Sequence, residues 1–160
     1  MTEPDPTATP SALLPDGYRL RPSPPTADAF CRLRRAAGMS ERSVEAVERG
    51  LPNTLFGVHV VKTDTETAVG MARVVGDGGA NFHLVDTAVA EPHQGRGIGT
   101  AMVDAVVRWI RTTAPDGAYV DLLADVDGFY ERWGFEGTAP ASRAMGVRSE
   151  SLQPIRPPDG

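Results

Sequence analysis

The chain has 160 residues, 41% hydrophobic and 23% charged, which suits one soluble domain with a real core. Its net charge of -5 counts against nonspecific nucleic-acid binding, and no apolar run approaches the ~20 residues that span a bilayer. Cys31, the single cysteine, excludes an intrachain disulfide and a cysteine-based metal site, so no metal is expected. The first residues lack the basic and apolar regions of a signal peptide, which leads to the expectation of a cytoplasmic protein.

Residues 1–15 hold four prolines and few large apolar groups, and read as a tail. The domain is expected over 16–148, with a second tail over 149–160. Tyr18 and Leu20 alternate with Arg19 and Arg21 in a short first strand. A helix over Ala29 to Ala37 follows, capped by Thr26 or Asp28 and stopped by Gly38. Within it Cys31 reads as a semi-buried residue. Arg32, Arg34 and Arg35 read as a solvated face, with a nucleotide 3′-phosphate as the alternative partner. A second helix is expected from a Ser40 cap to Gly50.

Thr54 to Lys62 is the next strand, and Ala68 to Val75 pairs back against it after a turn. Asp77-Gly78-Gly79 closes a second hairpin into a central strand over Phe82 to Val89, which Glu91-Pro92 ends. Asp86 is an acid inside that apolar strand, so it must be paired, reached by solvent or functional. His83, three residues earlier, can relay a proton but shares a face with Asp86 only if a bulge intervenes. His93 reads as a surface loop residue.

Gln94-Gly95-Arg96-Gly97-Ile98-Gly99 then places glycines at spacing two before a helix with Met102, Val106, Trp109 and Ile110 on its apolar side. Such a loop gives a ligand close access to backbone N–H groups at a helix N-terminus, where a phosphate or pyrophosphate is favoured. It lacks the Gly-Lys-Ser/Thr ending of an ATP loop and does not open a repeated βαβ series, so both nucleotide-fold readings fit badly. Ala114 to Gly117 is a turn, and Ala118 to Ala124 reads as a buried strand parallel to the Phe82 strand, since a helix connects the two. Asp125 or Asp127 can cap a short helix through Trp133, with Phe129 and Trp133 turned to the core. Ala144 to Arg148 is the last expected strand.

Ala88-Val89-x-x-Pro92-x-x-Gly95-x-Gly97-x-Gly99, with Gln94 opening QxxGxG, resembles motif A of the GNAT-type N-acetyltransferases. About 35 residues on, Phe129-Tyr130-Glu131-Arg132-Trp133-Gly134-Phe135 resembles that superfamily's FYxxxGF segment. The resemblance spans about Thr54 to Val147. It implies an α/β fold with a mixed, mostly antiparallel sheet, a central parallel strand pair that splays apart, and flanking helices.

It also implies acetyl-CoA as acyl donor, its pyrophosphate on Gln94, Gly95, Arg96, Gly97, Ile98, Gly99 and Thr100, and its pantetheine arm along Thr87, Ala88 and Val89. A backbone N–H near Val89 would then stabilise the oxyanion. Tyr130 would protonate the leaving thiolate, a task suited to a phenol of reference pKa ~10. Asp86 and His83 are the candidate bases. The acceptor is an amine of a small molecule or peptide, with no nucleic-acid or membrane partner expected and a homodimer left open. Arg73 and Arg143 suit either an acidic substrate or surface salt bridges. The competing reading is a non-catalytic acyl-CoA binding or sensing module.

Overall fold

The computed structural model describes residues 13–155. The expected tails therefore lie partly outside the described residues, over 1–12 and 156–160. The chain divides into two compact units between Asp125 and Val126.

The first unit carries a five-stranded sheet in the order β1 (Tyr18–Arg21), β2 (Phe56–Lys62), β3 (Thr67–Gly76), β4 (Asn81–Val89) and β5 (Tyr119–Leu122). The first three pairings are antiparallel and β4–β5 is parallel, as the helical connection between them requires. Helix α1 (Ala27–Ala36) is capped by Thr26, whose Oγ1 accepts from the Ala29 N–H at 3.3 Å. Helix α2 (Val44–Gly50) is capped by Ser43 and not by Ser40. Ser40 is instead drawn to Arg34, which takes its carbonyl at 2.8 Å and its hydroxyl at 3.2 Å.

Helix α3 (Ile98–Thr113) buries Ile98, Ala101, Met102, Val103, Ala105, Val106 and Ile110, the stripe its period dictates. It packs against β2, β3 and β4. Gly70 of β3 makes room for it: a Cβ there would come within 3.0–3.1 Å of Ile98 and Met102 side-chain atoms. A second apolar cluster, with Phe30, Leu33, Val47, Val61, Met71 and Ala88, joins α1 and α2 to the sheet.

β5 is shorter and more exposed than expected. Only Tyr119–Leu122 pair, and Tyr119 and Leu123 are 56% and 64% exposed. In the second unit Ala144 to Arg148 is exposed irregular chain, not a strand. The turn after β5 is a 3₁₀ helix over Tyr130–Trp133 that no Asp side chain caps. Phe129 and Trp133 are half-buried rather than core residues. Their rings meet edge to face with centroids 5.3 Å apart, and the Arg132 guanidinium lies over both. No described helix is long and apolar enough to cross a membrane.

Candidate functional site

β4 departs from a regular strand at Asp86. Met71 pairs with Ala88 and Arg73 with Val85, so Asp86 and Thr87 together oppose Ala72 alone. This is a β-bulge, and Asp86 holds it in the left-handed region at φ 57°, a conformation Asp tolerates better than most residues. The bulge shifts the alternation of the strand. His83 and Val85 lie opposite Val75 and Arg73, on the face that Ala88 shares with Met71 beyond the bulge.

The Asp86 side chain is 6% exposed and sits between two guanidinium groups. Arg34 Nη1 donates to Oδ1 at 2.7 Å and Arg73 Nε to Oδ2 at 2.7 Å. Arg73 Nη1 donates further to Thr54 Oγ1 at 2.9 Å. Arg34 is 4% exposed, which corrects its assignment to a solvated face; Arg35, ion-paired with Glu41 on the surface, does lie there. Arg73 is likewise no surface salt-bridge partner, with 16% of its side chain exposed. The sequence carries a signal for Arg34 that passed unread: positions 30, 33, 34 and 37 form one helical stripe, so Arg34 stands on the buried side of α1.

His83 pairs with a residue the sequence reading did not single out. In the parallel ladder His83 lies beside Asp121 of β5, and its Nδ1 is 2.7 Å from Asp121 Oδ1. In the neutral tautomer that carries its proton on Nδ1, His83 donates to Asp121 from Nδ1 and presents a lone pair on Nε2. The bulge therefore puts His83 and Asp86 on one face, yet their side chains serve separate partners.

β4 and β5 pair only from Asn81↔Tyr119 to Leu84↔Leu122. The rest of β4, residues 85–89, has no strand partner on that side among the described residues. At the end of this stretch Gln94 turns back and donates from Nε2 to the Val89 carbonyl at 2.9 Å. Thr87 and Val89 are half-buried, and Ala88 packs into the α1–α2 cluster.

The glycine loop follows. Gly95 and Gly97 have φ 76° and 84°, a left-handed geometry in which other L residues are strained. Gly97 is the N-cap of α3; no side chain caps the helix and its first turn has no acidic residue. Helix geometry leaves the first N–H groups without intrahelical partners, and the positive end of the dipole adds to them. Gln94, Gly95, Arg96 and Gly97 are exposed, Gly99 and Thr100 half-buried, and the Ile98 side chain is buried at 1%.

His93, just before the loop, is half-buried, with Nδ1 2.7 Å from the Tyr18 hydroxyl. Burial, then repulsion by Arg96 and Lys62, lowers its pKa from the ordinary value and favours the neutral ring. In the second unit Tyr130 meets Phe129 edge to face at 4.9 Å between centroids.

A family model described as an acetyltransferase (GNAT) domain matches residues 55–137. A probable acetyltransferase from meticillin-resistant Staphylococcus aureus is similar at 38% identity and TM-score 0.77, over 82% of this chain and 98% of that one. A GNAT-family acetyltransferase from Streptococcus pneumoniae shares the fold at 22% identity and TM-score 0.64, over 82% and 96% of the two chains. A GNAT-family acetyltransferase from Brucella melitensis, solved with acetyl-CoA, shares it at 20% identity and TM-score 0.56, over 75% and 83%. Comparison with curated proteins finds no match.

Proposed function

Because the chain belongs to the GNAT family of acetyltransferases, we propose that it moves the acetyl group of acetyl-CoA directly to the amine of a small molecule or peptide. The observation that carries this is the adjacency of two backbone features. The glycine-opened start of α3, which no side chain caps, suits a pyrophosphate, and the stretch 85–89 of β4, which among the described residues has no strand partner on its β5 side, suits an extended amide-rich arm. Gln94 ties the two together through the Val89 carbonyl. The loop from Gly95 to Thr100 supplies backbone donors, with Arg96 at its exposed edge; Thr87, Ala88 and Val89 supply the strand.

The acceptor nitrogen attacks the thioester carbonyl, a C–N bond forms, and the negative charge gathers on oxygen, where a β4 amide near Val89 stabilises it. The C–S bond then breaks, the thiolate takes the phenolic proton of Tyr130, and the nitrogen gives up its second proton as the amide forms, which returns through solvent to the phenolate. The acceptor ammonium must lose a proton first. His83 suits this step, since its Nδ1 is committed to Asp121 and its Nε2 can accept. Asp86 suits it poorly: two guanidinium groups occupy its oxygens and would repel an ammonium. We therefore give Asp86 the task of fixing Arg73 and the bulge, and His83 that of base.

The test is release of free thiol from acetyl-CoA in the presence of an amine panel. Tyr130→Phe should lower kcat about a hundredfold or more while leaving coenzyme A affinity in place, the size expected for loss of a general acid. Unchanged kcat would remove the acid assignment. Coenzyme A binding without turnover on any amine would favour a non-catalytic module, and no binding at millimolar concentration would end the reading.

A further inference from the structure

A cavity of about 190 Å³ lies between α1, α2 and the face of β3 and β4 that carries the bulge. Phe30, Val47 and Leu51 supply its apolar wall, and Arg42, Arg73 and Asp86 its polar one. It is far smaller than the roughly 300–1,000 Å³ of sites that enclose drug-sized ligands, so it suits the end of a small molecule and not a folded partner.

Its charge is unbalanced. Asp86 is the sole acid among the lining residues, and it is shared between Arg34 and Arg73. Two guanidinium groups against one carboxylate leave an excess positive charge at a site where Arg34 is 4% exposed. Desolvated charge of this kind is costly unless an opposite charge completes it. Arg34 spends all three of its nitrogens on Ser40 and Asp86. Arg73 spends Nε and Nη1, and its Nη2 has no hydrogen-bond partner among the described residues. Arg42, on the chain entering α2, also lines the wall, with Nη1 donating to Ser40 Oγ and the Glu41 carbonyl. This local excess runs against a chain whose net charge is -5, so the bulk composition does not account for it.

We propose that this cavity is the acceptor pocket and that it selects small amines bearing an oxyanion, a carboxylate or a phosphate, which is held by Arg73 and Arg42. The inference rests on the acetyl-transfer reading above, because Asp86 of the cavity wall is also the bulge residue at the edge of the β4 stretch assigned to the donor. Arg73 pairs with Val85 of β4, so an oxyanion anchored on it lies beside β4, on the face that also carries His83. Arginine suits the anchor, since its planar fork pairs with two oxygens at once.

The experiment compares matched pairs with the full chain: α-amino acids against their amides, and aminoalkyl phosphates against the corresponding amino alcohols. Two readouts are taken, kcat/KM for thiol release and calorimetric affinity in the absence of acetyl-CoA. The oxyanion-bearing member of at least one series should be favoured about tenfold or more in both, the scale of a charge-assisted hydrogen bond lost. Which series responds separates carboxylate from phosphate. Arg42→Gln should collapse that ratio, and Arg73→Lys, which keeps the charge beside Asp86 but loses the fork, should reduce it. Arg49→Gln, which removes an exposed α2 cation paired with Glu45, should leave the ratio unchanged.

Equal affinity for the anionic and neutral members of both series overturns the inference, whether or not thiol is released. Thiol release with no such preference leaves acetyl transfer standing and removes only the oxyanion selectivity. Anion-selective binding without turnover supports the pocket and counts against the proposed function.

Discussion

Asp86 is where the residue scale decides most. An exposed ion pair such as Arg21–Glu66, with side chains 40% and 56% exposed, contributes at most about 1 kcal/mol. The Arg34–Asp86–Arg73 group lies at the other extreme, because removing its one anion strands two cations, one of them almost wholly buried. Asp86→Asn tests this cleanly, since Asn tolerates the same left-handed backbone and nearly the same volume, leaving charge as the main change. We expect chemical denaturation to show a loss of about 3–5 kcal/mol. A loss below about 1 kcal/mol would mean that solvent already screens the group. The sequence showed that an acid in an apolar strand needs a partner. It did not name the partner, because Arg34 is 52 residues away and only the fold brings it near.

At the scale of elements, the strands and helices that carry strong local signals stand where the sequence puts them. The glycine loop, the α3 stripe and the parallel β4–β5 pair all follow from turn chemistry and period. What failed did so where local signal competes with tertiary packing. The Ser40 cap was lost because Arg34 claims Ser40, and the strand expected at Ala144 to Arg148 is apolar text too short to secure a partner. The bulge was invisible because Phe82 to Val89 reads as one unbroken strand, and pairing alone reveals the extra residue.

The loop itself makes a sharper claim, that backbone conformation rather than side chains forms the anion site. Gly97→Ala places a Cβ on a residue at φ 84° and within 3.4 Å of the Leu13 carbonyl. The expected cost is about 1–2 kcal/mol of stability, together with weaker coenzyme A binding by calorimetry. A variant that binds coenzyme A as tightly as the parent would show that the amides at this cap do not touch the ligand.

For the molecule as a whole, the balance of charge makes the last test. A chain of net charge -5 repels an anionic donor at long range, so the proposed site must attract it locally. Most anion sites do this with several lysines or arginines, and their affinity falls as salt screens those charges. Here the proposed grip is mainly a helix N-terminus and glycine amides, which act within a turn of the ligand, and Arg96 is the one cation in the Gln94–Gly99 loop. Salt then has two opposing effects, screening the global repulsion and weakening Arg96. We expect the Kd for coenzyme A to change less than about threefold between roughly 50 and 300 mM salt, where the Debye length shortens from about 14 to 6 Å. A loss of tenfold or more over that range would assign the binding energy to ion pairs, and the diphosphate would have to be sought against arginine side chains instead of the α3 amides.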